Sequence, residues 1–88
     1  PPPDAEPRVL AADVRAQLQR ALDQAEHLLL KEAVEVIAER AGVSPSTVYR
    51  VLSPAHHRKW LPLDLGDRLL LAAGGHLHDA RIEGEDDA

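Results

Sequence analysis

An 88-residue chain with 44% hydrophobic residues and a formal charge of −5 can build one small domain and has no room for a second. It contains no Cys, which excludes disulfides and thiolate metal sites, so packing or dimerisation must stabilise the core. No apolar run approaches the roughly 18 residues that span a bilayer, and the chain opens on PPPDAEP rather than on a basic and then apolar signal segment. A protein of the cytoplasm, without membrane contact, is therefore expected.

Residues 1–8 are Pro-rich and acidic, and residues 83–88 form a polar, acidic tail. Neither can bury enough apolar surface to offset the entropy of ordering, so both are expected to be disordered around a domain at residues 9–82. From Val9 to Leu30 the residues Leu10, Val14, Leu18, Ala21, Leu22, Ala25, Leu28 and Leu29 recur at steps of three and four, which predicts an amphipathic helix. No Gly or Pro interrupts residues 8–41, and the turn to the next helix is placed near Leu30 to Ala33. That second helix carries Val34, Ile37, Ala38 and Ala41 inward and ends at Gly42, which reaches left-handed backbone angles without a Cβ clash.

Ser44 offers its hydroxyl to the free N–H groups of a new turn, and Pro45 suits the first helical position, where its missing N–H costs nothing. A short helix is predicted from Pro45 to about Leu52, with Val48, Val51 and Leu52 inward and Pro54 as its stop. Residues 53–61 read as a loop, and LPLDLGDRLLLAAGG predicts a further helix that ends at Gly74. His76 to Ile82 can add a last turn or two. No stretch shows a period of two, so the expected fold is all-α, a small bundle of four to five helices.

The geometry between the second and third helices is the specific feature. Two helices crossing through a short turn need a small residue at their contact, a glycine in the turn and apolar residues to lock the angle. Ala38, Gly42, Val43, Val48 and Val51 meet those needs, with Ile37 behind them. The stretch resembles the helix-turn-helix of bacterial repressors, and AGVSPSTVYRVLS is similar to the motif that opens the lactose-repressor family. A long helix before the motif and further helices after it make the whole domain resemble the Cro and lambda-repressor type.

That resemblance implies duplex DNA as partner, with residues 45–52 as the recognition helix and its N-terminal residues toward base edges. Ser46, Tyr49 and Arg50 point away from the apolar face, with Thr47 at its margin. Arg50 is the expected base reader, since a guanidinium can donate two bonds to N7 and O6 of guanine. Ser44 suits both a helix cap and a phosphate contact. Tyr49 departs from the family pattern, where a small residue is commoner, and can reach a thymine methyl or a phosphate. Ser53, at the end of the helix, joins the set. In the loop, Arg58 and Lys59 are expected on the sugar-phosphate backbone with His57 beside them, while Trp60 is expected to plug the core.

Residues 40–63 hold no Asp or Glu but contain Arg40, Arg50, Arg58 and Lys59. This window therefore carries +4, and the rest of the −5 chain carries −9. Phosphate contact depends on the face presented, since charges are screened over about 8 Å at physiological salt. Net acidity therefore does not forbid DNA binding but predicts weak non-specific affinity.

Three consecutive leucines at 69–71, and again at 28–30, cannot all face one small core. One cluster is expected at an interface, with a second copy in a homodimer or with another protein. The five His lack the spacing of a metal site, and no nucleophile, base and orienting acid can be assembled, so neither metal, cofactor nor enzymatic activity is expected. Eight Arg against two Lys suits a high-GC bacterium or its phage, and the expected role is a repressor. The alternatives are a protein-interaction module that meets its partner through the acidic or Leu-rich surface, or a DNA-architectural directionality factor.

Overall fold

A computed structural model describes residues 7–53 and 58–83. The order is β1 (Arg8–Leu10), α1 (Ala11–Gln24), α2 (Leu30–Ala41), α3 (Pro45–Leu52), β2 (Trp60–Pro62), α4 (Leu63–Ala72), a 3₁₀ turn (Leu77–Asp79) and β3 (Ile82–Glu83). Four helices pack as the hydrophobic spacing predicts. Their shared core contains Val14 and Leu18 from α1, Val34, Ile37, Ala38 and Ala41 from α2, Val48 and Val51 from α3, and Leu69 and Leu70 from α4. Each fully buried leucine of this set contributes about 1.5–3 kcal/mol of transfer free energy.

A small sheet that the sequence did not announce closes one side. Its order is β2-β1-β3, and both pairings are antiparallel. Val9 stands at the centre, opposite Leu61 on one side and Ile82 on the other, and is fully buried. Two or three residues per strand allow at most one alternation of side chains, so no period of two could appear. Arg8 and Glu83, assigned to disordered ends by composition, belong to this sheet.

The strand also shortens the first helix, which starts at Ala11 rather than Val9. Its end comes at Gln24, and the break before α2 spans residues 25–29, earlier than the expected Leu30 to Ala33. The cause is local. Leu29 adopts extended angles (φ −67°, ψ 151°) and its N–H donates to the Glu32 carboxylate at 3.1 Å, so the acid three residues on caps α2 without help from Gly or Pro. Leu29 and Leu30 are consequently left 72% and 60% exposed. At 69–71 the leucines divide, with Leu69 and Leu70 buried and Leu71 exposed.

The sheet meets α4 at Gly66, where a Cβ would overlap Cγ1 of Val9 and lie 3.2 Å from its Cβ. A β-branched side chain cannot swing aside as a flexible one can. Gly66→Ala is expected to destabilise the domain by about 1–3 kcal/mol, read as a lower midpoint in urea denaturation.

Candidate nucleic-acid interface

The turn between α2 and α3 is built as its residues require. Gly42 takes φ +72°, and the Val43 N–H reaches back to the Ala38 carbonyl at 3.0 Å while the Gly42 N–H meets Glu39 at 3.2 Å. This closes α2 with a Schellman-type end. Ser44 then turns extended (φ −77°, ψ 153°) and its Oγ accepts from the Thr47 N–H at 3.4 Å, with Pro45 as the first helical residue. The Ser44 Oγ also lies 3.1 Å from the Thr47 Oγ1.

Burial divides α3 into two faces. Val48 and Val51 are buried and Leu52 is half-buried against the core, whereas Ser46, Tyr49 and Arg50 are exposed. Positions 46, 49, 50 and 53 follow the i, i+3, i+4, i+7 rule, so the candidate readers form one stripe along the helix. Thr47 is half-buried at its edge, as its place at the margin implied. Ser53 is half-buried and its N–H donates to the Tyr49 carbonyl at 3.0 Å, so it closes the helix as well as ending the stripe.

The basic segment ahead of β2 is also exposed at Arg58 and Lys59, while His57 lies outside the described residues. Trp60 is half-buried rather than a full core plug. Two cations lie near its ring, with the Lys59 Nζ 5.8 Å and the Arg8 Cζ 6.0 Å from the ring centre. Both distances fall near the outer limit of a cation–π contact. The sheet register explains the arrangement, since Leu10 faces Trp60 and Arg8 faces Pro62 across the same ladder.

One contact had no counterpart in the sequence reading. The Nε of Arg15 on α1 donates to the carbonyl of Val51 at 2.8 Å. Val51 lies in the last turn of α3, where carbonyls lack intrahelical partners, and a cation there also opposes the negative end of the helix dipole. Such a charge-assisted bond contributes about 1.5–3 kcal/mol. The partners are 36 residues apart, and no local pattern joins them. On the next face of α1, Asp13 is engaged by Arg81, whose N–H lies 2.9 Å and whose Nε lies 3.5 Å from the same carboxylate oxygen.

Among the described residues no three His, Cys, Asp or Glu side chains converge as a metal site would need, and no helix is long and apolar enough to cross a membrane. The crossing of α2 and α3, the glycine between them and the polar stripe on the second helix define a helix-turn-helix DNA-binding domain. A family model described as an HTH domain matches residues 3–53, more than half of the chain, and the chain belongs to that family. Comparisons with curated proteins and with solved structures return no match.

Replacing the cap tests how far α3 depends on it. Ser44→Ala is expected to cost about 1 kcal/mol of unfolding free energy and Ser44→Gly only a few tenths, as measured by thermal or urea denaturation.

Proposed function

We propose that this domain is a sequence-specific regulator of transcription, a repressor of bacterial or phage origin that reads the major groove of duplex DNA with α3. The observation that carries this reading is the stripe of Ser46, Tyr49 and Arg50, exposed on a helix whose other face is buried, inside a window without acids. In this reading Arg50 donates to a guanine edge, Tyr49 and Thr47 make apolar or phosphate contacts, and Ser44 meets a phosphate at the start of the helix. Arg58 and Lys59 follow the backbone beside the groove. The domain works in the cytoplasm or nucleoid, as a relative in architecture of the Cro and lambda-repressor type, and neither catalyses a reaction nor uses a cofactor.

A two-fold dimer suits the eight-residue recognition helix, since doubling a short reader on a symmetric site doubles its contacts. The exposure of Leu29, Leu30 and Leu71 supports an apolar contact with a second copy. The same leucines also favour a second reading, a module that binds another protein. Near them runs a groove of about 310 Å³ whose lining includes Ala25, Leu28, Ala33, Val36, Ile37 and Ala72.

Salt-titrated binding to the DNA upstream of the protein's own gene, against random DNA of equal length, separates the two readings. Arg50→Ala is expected to lower affinity for the upstream duplex by about 1–3 kcal/mol with little change on random DNA. Lys59→Ala is expected to weaken both and to reduce the salt slope by about one. If neither substitution changes binding, or if no duplex binds at low salt, the DNA reading fails and the protein-interaction reading takes its place.

A further inference from the structure

The guanidinium of Arg15 ties α1 to α3 through one of its donors. Only its Nε is used, and among the described residues the other N–H groups have no protein partner. An arginine has five N–H donors in a planar fork, so four remain. The side chain is half-buried beside the last turn of α3.

Two segments that carry basic residues are tied to α1 by hydrogen bonds. The Ala11 N–H donates to the Lys59 carbonyl at 2.9 Å, and Arg15 reaches the Val51 carbonyl from one turn further along α1. Four residues of helix advance about 6 Å and return to the same face. The basic segment before β2 and the end of the recognition helix are therefore both tied to the first half of α1. Arg50 lies next to Val51, Arg58 next to Lys59, and the nearest acid of α1, Asp13, is held by Arg81 on another face.

We propose that Arg15 is a DNA-contacting residue that bridges protein and phosphate: its Nε holds the end of α3 while its two Nη groups donate to one backbone phosphate. This rests on α3 being the groove-reading helix. An arginine used in this way makes the depth and direction of α3 depend on the phosphate position, because the same rigid plane bonds both. Base reading by Arg50 and backbone contact by Arg15 are then coupled rather than independent.

The test uses the whole chain with three substitutions, Arg15→Gln, Arg15→Lys and, as a control, Arg20→Gln, which removes an exposed cation elsewhere on α1. Each is titrated with salt on the upstream duplex and on a random duplex of equal length, and its thermal unfolding is recorded. Arg15→Gln should lower the slope of log affinity against log salt by about 0.9. It should also weaken upstream binding about tenfold. Arg20→Gln should leave the slope unchanged. Arg15→Lys keeps a charge for the phosphate but loses the fork, so the slope should stay while the preference for the upstream duplex falls. An unchanged slope in Arg15→Gln, or equal losses in Arg15→Gln and Arg20→Gln, overturns the proposal while leaving the DNA reading standing. Failure of the unsubstituted protein to bind either duplex overturns both.

Discussion

A helix of eight residues does not hold its shape in water, where isolated helices shorter than about 12–15 residues are marginal. Whatever α3 does, it does as a helix fixed by others, and the arrangement of the domain follows from that requirement. Val48 and Val51 anchor one face in the core, Ser44 and Pro45 start the first turn, and Arg15 and Ser53 satisfy carbonyls in the last. The first turn is thus closed locally and the last is tied to α1. The exposed face is left free of structural duty, and polar side chains can stand there at no cost to the fold.

The charge distribution complements this division. Acids concentrate outside residues 40–63, so the stretch that carries α3 differs in sign from the chain as a whole. Long-range attraction to a polyanion is weak for such a chain, and in the proposed function affinity comes from short-range contacts. In the proposed function, a low background on random DNA would favour discrimination, because competing sites would hold less of the protein.

The parts of the fold that obey local rules were legible in the sequence. Gly42, Ser44 and Pro45 mark the end of one helix and the start of another with single-residue chemistry, and the structure puts both boundaries there. The stripe of Ser46, Tyr49 and Arg50 was legible for the same reason, since it is the complement of an apolar face. The break before α2 was not, because it depends on Glu32 capping Leu29 in a segment without Gly or Pro. The sheet was hidden by the brevity of its strands, and Trp60 by a partner, Arg8, that comes from the other end of the ladder. Arg15 looked like an ordinary polar position of an amphipathic helix. Its role exists only once α1 and α3 are packed together.

The middle strand of the sheet comes first in the chain, and its two neighbours come much later. Pairing Val9 with Leu61 closes a loop of 52 positions, and pairing it with Ile82 closes one of 73. By contrast α2 and α3 are joined by three residues and meet at almost no loop entropy. Sequence separation therefore divides the domain into a local unit, the helix-turn-helix pair, and a long-range seam that joins early and late parts of the chain. Val9 lies on that seam, and so a buried valine in a three-residue strand joins parts of the chain that the helix-turn-helix pair does not reach.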